Sequence, residues 1–101
     1  MALNKDEFLE QMKKKLDELN YRWNIERNKF EARIQHESAG AKKKLEADRD
    51  DLLKFRKEMK EKIIDLEVAS ENAWDDVKVG VENAWKALSK SFDKASSHFK
   101  K

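Results

Sequence analysis

Apolar residues recur every eleven positions along nearly the whole chain, at Phe8, Leu19, Phe30, Ala41, Leu52, Ile63, Trp74 and Trp85. A second row of the same period, Phe55, Leu66, Val77, Leu88 and Phe99, runs beside it through the C-terminal half. Eleven residues complete three turns of a barely distorted α-helix, so this spacing holds a seam on one side without drift. The pattern predicts helix throughout, with one sticky edge and charge elsewhere.

Shorter periods lie within the long one. Leu9, Leu16, Trp23 and Phe30 repeat every seven residues, with Met12 and Leu19 as partners three positions on, which is a coiled-coil seam. Leu45, Leu52, Met59 and Leu66 form a second heptad row, with Ala41, Asp48, Phe55 and Lys62 four positions before each. The step from Phe30 to Leu45 is fifteen residues, so the heptad register slips between the two rows. Local unwinding of a supercoil absorbs such a slip, and so does a tight turn between antiparallel helices.

Phase arbitrates between these two. At about 100° per residue the seam positions from Phe8 to Phe99 stay within about a third of the helix circumference, and a turn resets phase arbitrarily. The expectation is therefore a long helix running past Gly40 and forming an oligomeric coiled coil. The alternative is an antiparallel three-helix bundle, with breaks near Gly40 and at Ala69-Ser70-Glu71-Asn72, where Ser70 or Asn72 can cap a fresh helix at Ala73. At the N-terminus Asn4 or Asp6 is placed to cap the first helix.

The chain divides by character into residues 1–69, a charged coiled-coil helix, and residues 70–101, an amphipathic helix. In the second part Asn72-Ala73-Trp74 returns as Asn83-Ala84-Trp85, a direct eleven-residue repeat. Its apolar positions Trp74, Val77, Val81, Trp85, Leu88, Phe92 and Phe99 make it the most amphipathic stretch of the sequence. Gly80 lies within it, either to admit a neighbouring helix closely or as a flexible point.

Composition sharpens this picture. Among 101 residues 44% are charged, proline and cysteine are absent, and there are two glycines. Nothing forces a helix to break, and neither disulfides nor thiolate metal sites are available. The 23 basic and 21 acidic side chains are interleaved along the chain. Nucleic-acid binders concentrate positive charge on one face or tail, so that partner is disfavoured. No stretch approaches the roughly 20 apolar residues of a membrane span, and the cytoplasm is the expected location, including the periphery of a membrane or organelle surface.

Chemistry-bearing constellations are few. Lys13-Lys14-Lys15 and Lys42-Lys43-Lys44 read as solvated faces, with Asp17, Glu18, Glu46 and Asp48 three or four residues on to pair with them. His36 and His98 lack metal-ligand spacing, and Asp48, Asp50 and Asp51 lack the glycine and terminal glutamate of a calcium loop. No nucleophile sits beside a base, so the expectation is a non-enzyme with no cofactor and no metal site.

The segment Asn72-Ala73-Trp74-Asp75-Asp76-Val77-Lys78-Val79-Gly80-Val81-Glu82-Asn83-Ala84-Trp85-Lys86-Ala87-Leu88 resembles the ending of a family of small bacterial coiled-coil proteins catalogued as stress-response proteins and first named from a cyanobacterium. That family's pattern is Ala-Trp-acidic-acidic-Leu-Lys-x-Gly-hydrophobic-Glu-x-Ala-Trp, from which this chain departs with Val77 in place of leucine. The opening, Asp6-Glu7-Phe8 through Leu19-Asn20, is also similar to the family's start. The resemblance implies a bacterial, helical protein linked to stress and carries over no catalytic residue or ligand.

Two functions follow as expectations. The first is a structural protein that associates with copies of itself through Leu9, Leu16, Trp23, Phe30, Leu45, Leu52, Phe55, Met59, Ile63 and Leu66, in a protective or scaffolding role. The second is a surface binder that lays the face bearing Trp74, Val77, Val81, Trp85, Leu88, Phe92 and Phe99 on a membrane, granule or mineral. An indole suits a lipid interface, but residues 70–101 carry six lysines and five acids, poor for electrostatic attraction to anionic lipid.

Overall fold

Each helix begins and ends for local reasons. In the computed structural model, which describes residues 4–97, α1 spans Lys5–His36, α2 spans Ala39–Val68 and α3 spans Trp74–Ser96. Asn4 caps α1: its side-chain oxygen accepts from the Glu7 backbone N–H at 2.8 Å, and its amide donates back to the Glu7 carboxylate at 2.7 Å. Asp6 and Glu7 add negative charge to that first turn, where the helix dipole favours it.

The helix does not run past Gly40, which corrects the expectation drawn from phase. It stops at His36, and Glu37 and Ser38, both extended, form a two-residue link to α2. The physical reason lies in what flanks the link. Between the buried Ile34 and the buried Leu45 there is no large apolar side chain, so nothing holds that stretch of helix against a partner. Folding back there lets the two apolar rows cover each other within one chain, without the loss of translational freedom that a second chain exacts. Gly40 itself makes no turn: it sits in the first turn of α2 with negative φ.

The second break falls where the sequence placed it, although Ser70 acts through its backbone. Its carbonyl accepts from the N–H groups of Ala73 and Trp74, each at 3.0 Å, and α3 starts at Trp74 without a side-chain cap. The carboxyl end of α2 has no basic residue of its own in its last turn. Lys5 of α1 supplies one, donating from Nζ to the carbonyls of Glu67 (3.2 Å) and Ala69.

These links fold the chain into an up-down-up bundle of 52 × 20 × 20 Å. Lys13 meets Glu67 and Arg49 meets Glu31 across antiparallel α1 and α2. Asp48 meets Lys94 across antiparallel α2 and α3. Phe8 meets Trp74, and Glu26 meets Ser96, along parallel α1 and α3. The fold is all-α, with the three helices of the alternative architecture. One apolar core runs through all of them, so α3 is packed on the same cluster as α1 and α2.

Candidate functional site

The residues read from sequence as an association seam are brought together inside this core. Leu16, Trp23, Phe30, Leu45, Leu52, Met59, Ile63 and Leu66 are buried, while Leu9 and Phe55 are half-buried against the cluster. On α3, Val81, Leu88 and Phe92 are buried, and Trp74, Val77 and Trp85 are half-buried. Phe99 and His98 lie outside the described residues. The seam therefore finds its partners within one chain: the spacing that fits a second helix fits the chain's own next helix equally well.

Sequence reasoning left out Ile34, which lies four residues beyond Phe30 on the same face of the helix and is buried. It left out the burial of Asp48, 4% exposed between Leu45 and Leu52 and 3.4 Å from the Lys94 ammonium. Of these two, Ile34 was readable from spacing, whereas a carboxylate among apolar core positions contradicts the pattern from which a core is read.

The two sides of α3 are unlike. Towards α2 it presents Gly80, Ala84, Ala87 and Ser91, and these short side chains let the helices come close; α2 and α3 share the most extensive backbone approach in the bundle. Gly80 faces Lys62, whose Cδ lies 3.8 Å from the position a Cβ would occupy, so the site has room for a methyl group. Towards α1, α3 presents Trp74, Trp85 and Phe92, and cations from both helices lie over them. Lys15 lies over the Trp85 ring at 5.8 Å, Arg22 over Phe92 at 4.6 Å, and Lys78 over both Phe8 (5.4 Å) and Trp74 (5.5 Å). Phe8, Lys15 and Arg22 stand seven apart on α1, so this row was also legible in the spacing.

The first basic run is used between helices rather than along one. Lys13 pairs with Glu67 at 2.6 Å and Lys15 covers Trp85, where sequence placed their partners at Asp17 and Glu18. On the same side of the bundle Nη1 of Arg49 reaches both Glu31 oxygens at 2.9 Å. Hydrogen bonding to Glu31 raises the Arg49 pKa above its ordinary value, opposed by partial desolvation and aided by the charges of Glu31 and Asp50.

Between α1 and α2 an outer groove is lined by Leu16, Asn20, Leu53, Lys57, Lys60 and Ile64. The Asn20 side-chain oxygen is buried there without a hydrogen-bond donor. Outside the core, Tyr21, Ile25, Leu53, Ile64, Val68 and Val79 remain exposed to water. No described helix is long and apolar enough to cross a membrane, and among the described residues no three His, Cys, Asp or Glu side chains converge to hold a metal ion.

No family model, no curated protein and no solved structure matches the chain.

Proposed function

We propose that this chain is a non-enzymatic structural protein that associates with copies of itself, in a protective or scaffolding role in the bacterial stress response and in the cytoplasm. The observation that carries the reading is the construction of the core. Its sixteen buried apolar residues come from one recurring stripe on each of three helices. Faces built on one repeat are complementary between copies as well as within a copy. The resemblance of the Trp74 to Trp85 repeat to bacterial stress proteins supports the cellular setting.

The test is sedimentation velocity from micromolar to millimolar protein, before and after unfolding and refolding at each concentration. The reading expects a monomer at the dilute end and a discrete oligomer at the concentrated end. A single monomeric species throughout would contradict it.

A second reading has its own support. Trp74 and Trp85 are half-buried, α3 is the most amphipathic of the three helices, and the outer side of its aromatic row facing α1 is covered by lysine and arginine side chains. Such a helix can trade its seat on α1 for a lipid interface. In a Trp23→Phe background, the emission of Trp74 and Trp85 shifts to the blue on adding vesicles if this holds, and stays fixed if it does not.

A further inference from the structure

We infer that two copies of this chain exchange α1: the Glu37–Ser38 link straightens into helix, and each α1 takes its place on the α2–α3 hairpin of the other copy. The inference rests on the self-association reading and gives it a mechanism.

Four observations converge on it. The apolar seam keeps its helical phase from Phe30 through Ala41 to Leu52, although the structure breaks the helix between them. A continuous helix through the link would therefore present both halves of the seam on one side. Nothing in the link forbids helix: residues 37–40 are Glu, Ser, Ala and Gly, there is no proline, and no described residue has positive φ.

The link is also weakly fixed. Ser38 makes no side-chain cap, the first turn of α2 holds no acidic residue, and Gly40 has no neighbour within 4 Å of where a Cβ would stand. Opening it surrenders few contacts. Finally, α2 and α3 form the closest pair, and α1 is attached through contacts that a second copy reproduces one for one. Among these are Lys5 to the Glu67 and Ala69 carbonyls, Lys13 to Glu67, Glu31 to Arg49, Glu26 to Ser96, Phe8 against Trp74, Lys15 over Trp85 and Arg22 over Phe92.

Exchange leaves the core unchanged and alters only the hinge, which is the condition under which domain swapping costs little. Straightened, Lys5 to Val68 is one helix about 96 Å long at 1.5 Å per residue. Two such chains, antiparallel about a two-fold axis at Glu37–Ser38, make a rod as thick as the single bundle and about twice its length. Dilution favours the closed monomer because its α1 is tethered beside its own seat.

Ser38→Pro separates the two states. In the closed bundle Ser38 has φ −61 and Glu37 is extended at ψ 159, the values proline requires at its own position and the one before it. In a continuous helix the same proline removes a backbone hydrogen bond and clashes with the preceding turn.

The experiment refolds wild type, Ser38→Pro and the double variant Ser38→Ala/Gly40→Ala at millimolar concentration. Circular dichroism checks that each folds; gel filtration separates the species and X-ray scattering measures their length. Expected are a wild-type dimer with a maximum dimension near twice the 52 Å of the bundle, and more dimer in the double variant. In Ser38→Pro a folded monomer should remain, with dimer formation weakened by roughly a hundredfold or more for each hinge. A dimer that survives Ser38→Pro, or one no longer than a single bundle, would overturn α1 exchange and leave self-association standing through another surface. Monomer alone in all three proteins would overturn both.

Discussion

Helix α3 meets α2 through glycine, alanine and serine, and meets α1 through tryptophan and phenylalanine. The difference shows how one amphipathic helix sets two spacings at once. Short side chains bring α2 close enough for backbone to approach backbone. Aromatic rings hold α1 further off, and cations from both helices cover the rings. The first interface is sensitive to added volume where it is buried, at Ser91, and has room at its half-buried Gly80. The second is looser and half wet, and it belongs to the helix that we infer to be exchangeable.

Removal of core volume shared by both interfaces has the largest expected effect. Leu88 is fully buried on α3. Leu88→Ala should lower unfolding stability by about 2–5 kcal/mol, measured by urea denaturation with helicity as the signal. A loss below 1 kcal/mol would mean that α3 does not sit in the core described.

The comparison itself is broken by adding volume to one side and removing it from the other. Ser91, which faces α2, is 9% exposed. Ser91→Leu should cost about 1–3 kcal/mol through overpacking, whereas Trp85→Phe, which adds no volume on the half-buried aromatic side, should cost less than about 1 kcal/mol. Equal losses would erase the distinction between a tight and a loose interface.

Gly80 gives a smaller effect of opposite sign. Its backbone is helical, with no positive φ, and a Cβ would make an ordinary contact with Lys62 at 3.8 Å. Gly80→Ala should therefore stabilise the protein by about 0.5–1 kcal/mol, seen as a raised Tm. A lowered Tm would show that the α2–α3 approach needs the absent side chain. The smallest effect is at the surface: Lys13→Ala removes the pair with Glu67, both side chains at least 40% exposed, and should cost under about 1 kcal/mol, less in high salt.

Much of this was legible in the sequence, and what was hidden has identifiable causes. The heptads at Leu45, Leu52, Met59 and Leu66 placed those residues on one buried stripe because their spacing admits little else in a helix. The cap at Asn4 and the break after Ala69 were legible for the same local reasons. The hairpin at Glu37–Ser38 was not. A phase argument assumes that a turn scrambles the seam, but here the seam stays in phase across a two-residue link, so periodicity carries no mark of the break.

The pairing of the seam was hidden too. Period states that Trp23 and Phe30 need apolar company and is silent on whether that company is another chain or Leu52 of the same one. Spacing put Asp48 in the partner row of the second heptad seam, but its charge hid its burial; close helix approach was one of the two readings of Gly80, whereas Ala84, Ala87 and Ser91 were hidden by being small, since hydropathy rewards bulk and their contribution is proximity.

The account stands on the chain folding back on itself. The protein has no cysteine, so Lys14→Cys/Val68→Cys carries two spin labels and no others, at exposed positions near the same end of the bundle. Pulsed electron–electron distance measurement in dilute solution should give an intrachain separation on the order of the 20 Å bundle width. A separation near 80 Å, the length of 54 helical residues at about 1.5 Å each, would show a continuous helix in the isolated chain and contradict the fold.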